Sequence, residues 1–312
     1  MAQGEAMTLH RRRVLKGAVV LVTAGALTLG SGTSASASER VHREVQQTVT
    51  VVGDGSQVHL DHSTIQTGSI RFKVSTTNPQ VMGNGGSNIS LFQPKRGKAL
   101  ANVLADLQEE FSQTPAIAAK GTRDIVRDVS LFGLADVVVG FPEVVTEHLQ
   151  PGTYYLFDLG NQPTGDPAVT TLTVGRDRHA FEQDSDLRSQ TQVKVTSADR
   201  FVAPRVWPHR GTYTFTNVSD TIHFMVMIPV KDGTTDAQVQ AVFSGPPSGQ
   251  NGPPPFFRPG PSGGNDVVSP GRSIQVSYNL PRGTYLLVCF VSDDKTGLPH
   301  ALMGMHKVIH LT

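Results

Sequence analysis

The chain has 312 residues, 38% of them hydrophobic and 17% charged, with 31 Gly, 20 Pro, one Cys and a formal net charge of +1. That length suits about two domains with packed cores, and the hydrophobic content excludes wholesale disorder. A single Cys excludes an internal disulfide framework and any multi-cysteine zinc or iron–sulfur site, and the near-neutral balance gives no sign of a nucleic-acid partner.

The first predicted element is a targeting segment. Arg11-Arg12-Arg13-Val14-Leu15-Lys16 precedes an apolar run from Gly17 to Gly30, and small residues ending Ala35-Ser36-Ala37 follow. This is the layout of a secretory signal with an Ala-x-Ala cleavage site. The run of about 14 apolar residues falls short of the roughly 20 that span a bilayer. Its basic part resembles the bacterial twin-arginine export motif, with His10 where Ser or Thr is usual, so general secretory export stays open. Removing residues 1–37 takes away four basic residues and one acidic residue, leaving 23 basic and 25 acidic, a net of −2. The expectation is a secreted or extracytoplasmic protein of bacterial type, with no membrane span after cleavage.

An internal repeat then sets the fold. The first half carries Leu149-Gln-Pro-Gly-Thr-Tyr-Tyr-Leu-Phe-Asp158, and the second carries Leu280-Pro-Arg-Gly-Thr-Tyr-Leu-Leu-Val-Cys289. Each continues into a loop with Thr-Gly and a Pro two residues on, then an alternating apolar strand, 169–174 and 305–311. Upstream, Gly68-Ser-Ile-Arg-Phe72 resembles Gly211-Thr-Tyr-Thr-Phe215, and Ser90 to Pro94 sits like Met225 to Pro229. Leu100, Val103, Leu104, Leu107 and Phe111 recur at helical spacing, and Val239, Val242 and Phe243 predict a shorter helix.

A repeat of about 130 residues is a duplicated domain rather than a solenoid unit of about 20–50. The expected organisation is a signal at 1–37, a first domain at 45–176, a polar linker at 177–189 and a second domain at 190–312. Short strands with helical insertions make each an all-β, Greek-key β-sandwich. Gly245 to Gly264, with Pro253-Pro254-Pro255 inside it, is expected to be a long surface loop.

Candidate chemistry lies in the second domain. Phe215-Thr-Asn217 is followed after five residues by His223. Gly283-Thr-Tyr-Leu-Leu-Val-Cys289 is followed after ten by His300-Ala-Leu-Met303-Gly-Met305. This Gly-x-Tyr-x3-Cys … His-x4-Met ending, with an upstream His after a Phe-x-Asn strand, resembles a cupredoxin, the blue-copper fold. The resemblance implies two tandem cupredoxin-like domains and one copper ion held by His223, Cys289, His300 and an axial Met305, with Met303 as the alternative. The role implied is electron transfer or copper handling, with a redox or cell-envelope protein as partner. Thiolate and thioether favour Cu(I), imidazole tolerates both oxidation states, and a His2Cys plane with a weak axial Met suits electron transfer.

The first domain has approximately Asn88, Asp158 and Ala168 where the second has His223, Cys289 and His300, so the metal set is expected in the second alone. Met225 and Met227 alternate on an apolar strand and read as core. The alternative reading is a metal-free binding module recognising a protein or cell-surface ligand. No substrate turnover is implied: a copper oxidase would need a His-rich centre, and no His-x-His pair occurs. Cys289 on an apolar strand reads as buried rather than as a catalytic nucleophile. The acidic pairs Glu109-Glu110 and Asp293-Asp294, and His59 with His62, are expected to be solvated.

Overall fold

A computed structural model describes residues 47–79, 86–161, 166–176, 189–245 and 254–312. The targeting segment, nearly all of the 177–189 linker, Gly83 to Gly85 and the Pro-rich centre of the 245–264 loop lie outside them. No helix among the described residues is long and apolar enough to cross a membrane.

The protein is all-β, with strands in both halves and three helices among the described residues. The first half contributes β1 (Gln47–Gly53), β2 (Val58–Leu60), β3 (Thr64–Gln66), β4 (Gly68–Thr76), β5 (Ser87–Pro94), α1 (Leu100–Glu110), α2 (Pro115–Asp128), β6 (Val129–Val137), β7 (Glu143–Leu149), β8 (Gly152–Asp158) and β9 (Thr170–Gly175). The second contributes β10 (Thr191–Thr196), β11 (Arg200–Val202), β12 (Val206–Trp207), β13 (Arg210–Asn217), β14 (His223–Pro229), α3 (Asp236–Ser244), β15 (Gly263–Val268), β16 (Ser273–Asn279), β17 (Gly283–Val288) and β18 (His306–Leu311).

Side-chain alternation explains the outer strands. In β4, Ile70, Phe72 and Val74 are buried while Arg71 and Lys73 are exposed, the period-2 pattern of a sheet with one wet face. β14 is buried almost throughout, as a central strand should be. Met225 and Met227 sit fully buried in the main core, as their alternation predicts.

The two halves repeat one strand order. One sheet runs β11-β10-β13-β16-β7-β4-β1-β2, and the other β12-β18-β17-β14-β15-β6-β5-β8-β9-β3. Each reads the same from either end if the halves are exchanged. Two tandem sandwiches are thus fused edge to edge about a pseudo-two-fold axis. At the joins β16 pairs antiparallel with β7, with Thr146 opposite Gln275, and β15 pairs antiparallel with β6. Strand edges that would otherwise template aggregation are consumed in the junction.

Two expectations need revision. Gly263 and Gly264 belong to β15 rather than to a loop. Phe256 and Phe257 are buried in a second apolar cluster with Val239 and Phe243 of α3, because two adjacent aromatic rings cost too much to leave in water. Helix α2 shows no spacing of large apolar residues, because apart from Ile125 its buried face is made of small and polar side chains, among them Ala118, Ala119, Gly121 and Thr122.

The junction buries acids. Asp136 is raised to about 7 by burial and by the neighbouring Asp266 charge. Glu147 is raised to about 8 by burial, opposed by Arg272, whose guanidinium lies 3.4 Å from it and 3.7 Å over the Phe132 ring. A carboxyl raised in the folded state contributes its full stability below the ordinary carboxylate range. That contribution is lost as pH rises towards the folded pKa, because the unfolded chain ionises first. Glu147→Gln should therefore gain stability relative to wild type as pH rises from 5 to 8. Thermal melts of both proteins across that range check it, and a pH-independent difference would refute it.

Candidate metal centre

His223 opens β14, Cys289 follows β17, and His300 ends the loop after it. Since β14 and β17 are paired neighbours, with Val226 opposite Val288, the topology brings the ends of both strands together. Upstream, Asn217 fixes the turn into β14. Its amide donates to the carbonyls of Thr221 (2.8 Å) and Val268 (2.9 Å), and its oxygen accepts from the Ser219 hydroxyl (2.7 Å). Downstream, His300 N donates to Val291 O and Ala301 N donates to Cys289 O, folding the loop back onto the strand end.

The result is a closed cluster. Nδ1 of His223 and Nδ1 of His300 each lie 3.8 Å from Cys289 Sγ, and the two rings are 4.6 Å apart. All three side chains have no solvent exposure, and their donor atoms lie within 4.8 Å of one another. Burial, and then the charge of His223, pushes His300 down to about 4, so the ring is neutral and its nitrogens can act as lone-pair donors at neutral pH.

The spacing fits a metal. A first-row ion about 2.3 Å from a thiolate and about 2.0–2.1 Å from an imidazole nitrogen, with about 120° between the bonds, sets the two donors about 3.8 Å apart. Nε2 of His300 finds no hydrogen-bond partner among the described residues. Asp199, at a positive φ of 51°, places Oδ1 3.4 Å from His223 Nε2. Burial resists ionisation of Asp199, but contact with His223 and the nearby His300 hold its carboxyl below the ordinary value.

The methionines separate. Met305 is fully buried, its carbonyl accepting from Cys289 N (3.4 Å) and its amide donating to His300 O (2.9 Å). Met303 is partly exposed, and its sulfur accepts from the Thr296 hydroxyl at 3.6 Å. Backbone coupling to both other residues thus belongs to Met305.

The same place in the first half is filled differently. Ile89 lies opposite Asp158 in the β5–β8 register, which makes Ser87, rather than Asn88, the counterpart of His223. Asp158 is fully buried, hydrogen-bonded by Ser87 and by the amides of Gly55 and Gly160. Ser87 in turn meets Thr76 at 2.7 Å. A Cβ on Gly53 would fall 2.4 Å from Ser87 Oγ and 2.5 Å from Asp158, so this hard-oxygen network is packed shut.

The acidic pairs are not both solvated as expected. Glu110 and Asp293 are 6% and 3% exposed, and Glu110 accepts from Ser292 N of the loop that carries His300. A sequence shows two adjacent acids in each case, not the contact made 182 residues away. His59 and His62 are exposed, as read from the sequence, beside Asp54 and Asp61.

No protein-family model and no curated protein matches the chain. Among solved structures, auracyanin from Roseiflexus castenholzii is 19% identical, covering 39% of this chain and 94% of that one, with a TM-score of 0.24. Auracyanin A from Chloroflexus aurantiacus, described as a "blue" copper protein, is 16% identical over 39% and 96%, with a TM-score of 0.24. A Cu-containing nitrite reductase from Thermus scotoductus is 10% identical over 86% of this chain, which spans 62% of that one, with a TM-score of 0.23.

Burial of Cys289 sets an expectation that needs no metal. In the folded, metal-free protein an aromatic disulfide reagent should label it at least about a hundredfold more slowly than in denaturant, since access requires local opening. Labelling at the rate of an exposed thiol would contradict the closed cluster.

Proposed function

We propose that the second half binds one copper ion through His223, Cys289 and His300, with Met305 as the weak axial ligand, and serves in electron transfer or copper handling outside the cytoplasm. The observation that carries this reading is the pair of imidazole Nδ1 atoms, each 3.8 Å from one buried thiol. Copper in such a set supplies a one-electron couple whose two states share one coordination geometry.

The residues of the chain do the rest. Asp199 beside Nε2 of His223 favours the proton on that nitrogen and leaves the Nδ1 lone pair towards the thiolate. The apolar residues around Cys289, with Leu287 and Met305 fully buried, keep water from the sulfur. Export as a folded protein through the 1–37 segment belongs to the same proposal, with a redox or cell-envelope protein as partner. The first half, carrying Ser87 and Asp158, binds no copper in this reading.

Copper titration of residues 38–312, followed by visible absorption and metal analysis together, tests it. The expected result is one copper per chain with an intense visible band. His300→Ala and Cys289→Ser should lose the band while the far-ultraviolet circular dichroism of the sandwich persists. Met305→Leu should keep the band and shift its position or the potential, and Met303→Leu should change neither. No bound copper in the reduced protein would overturn the reading in favour of a metal-free binding module.

A further inference from the structure

The loop carrying His300 is held from the other half of the molecule. Thr122 of α2, fully buried, donates its hydroxyl to Ser292 O at 2.8 Å. Ser292 N donates to the Glu110 carboxylate at 3.1 Å, and the Ser292 hydroxyl to the Glu110 carbonyl at 3.3 Å. The Arg123 guanidinium donates to Asp294 O. At the far side of the loop Gly297, at a φ of 69°, packs so closely on α2 that a Cβ would sit 1.9 Å from Pro115 O.

Inside the loop, Asp293 Oδ1 accepts from the amides of Lys295 and Thr296 and from the Thr296 hydroxyl. Ser292 also bridges to Pro299, the residue before His300. The turn is thus internally rigid and externally pinned at both ends, and His300 leaves it with no free residue between.

Resting on the copper reading above, we infer that the α1–α2 hairpin of the first half is a positioning element for the metal centre of the second, with Glu110 and Thr122 as the positioning residues. The hairpin replaces the constraint that a short loop would supply. Ten residues separate Cys289 from His300, and a loop of that length left to itself samples many conformers. Neither Glu110 nor Thr122 belongs to the donor set. They act through Ser292, and so on where His300 stands relative to Cys289.

The test uses residues 38–312 carrying Glu110→Ala, Glu110→Gln or Thr122→Val. In the metal-free proteins, Cys289 labelling should speed up at least about tenfold in Glu110→Ala and Thr122→Val, because local opening of the loop becomes easier. Hydrogen exchange at 291–300 should rise with it. Glu110→Gln keeps the acceptor and should restore wild-type behaviour, an outcome that a general loss of packing would not give. In the copper-loaded proteins, the same two variants should change the ratio of the visible bands, and Glu110→Gln should not.

Gly297→Ala pushes on the contact from the loop side and should reproduce the effect if Glu110→Ala does not fold. Unchanged labelling and exchange in Thr122→Val and Gly297→Ala would overturn the inference. Because those readouts need no metal, a failure to bind copper would strike the copper reading and leave the hairpin contact separately tested.

Discussion

The antiparallel joins of β6 with β15 and of β7 with β16 determine how everything else is placed. Each is an ordinary edge pairing, but the two occur in both sheets at once and about one axis. A single join would leave a hinge. Two joins, one in each layer, lock the halves in rotation as well as in translation. The half-buried Asp136 and the buried Glu143 and Glu147 lie along this junction with Arg272, so the join is polar as well as apolar. Burying unionised carboxyls costs less than burying their charges, so burial raises the pKa of all three. That rigidity is what allows a helix of one half to touch a loop of the other at hydrogen-bond distance.

The two halves share one strand order but fill the corresponding strand ends differently. At corresponding places one half has Ser87 and Asp158, the other His223 and Cys289. The first pair is hard oxygen, satisfied by backbone amides and by Thr76. The second is softer, and its donor atoms are placed around a common point with those of His300. Closing the first site costs nothing further, because each acceptor is met. In the second, Nδ1 of His223 and Nδ1 of His300 both face the Cys289 sulfur at 3.8 Å.

Much of the fold was legible because strand signals repeat. Gly152-Thr-Tyr154 and Gly283-Thr-Tyr285 begin β8 and β17, and the apolar ends of the repeat are β9 and β18. Helices α1 and α3 followed from Leu100, Val103 and Leu107 and from Val239 and Phe243, since large apolar residues at helical spacing have one common reading. The donor set was legible as residue types in order, and its convergence follows from the pairing of β14 with β17. What could not be read was the contact between halves. Helix α2 buries Ala118, Gly121 and Thr122, small residues whose use depends on what packs there. Glu110 and Asp293 each look like half of a solvated acidic pair. Their burial is a property of tertiary contact, and a local pattern holds no record of a partner so far along the chain.

Ten residues separate Cys289 from His300, so the place of His300 depends on what holds that loop. A short loop fixes its second ligand by covalent geometry alone, whereas a long one must be fixed by contacts. Here those contacts are Thr122, Glu110, Arg123 and the close approach of Gly297 to Pro115. Each hydrogen bond is worth only about 1 kcal/mol net, but they act on one turn whose interior Asp293 already stiffens. Their effect is therefore to remove alternatives for the whole turn at once. The half without soft donors is then not a spare copy: its hairpin provides the rigidity that the long loop lacks, and the fused sheets keep the hairpin in reach.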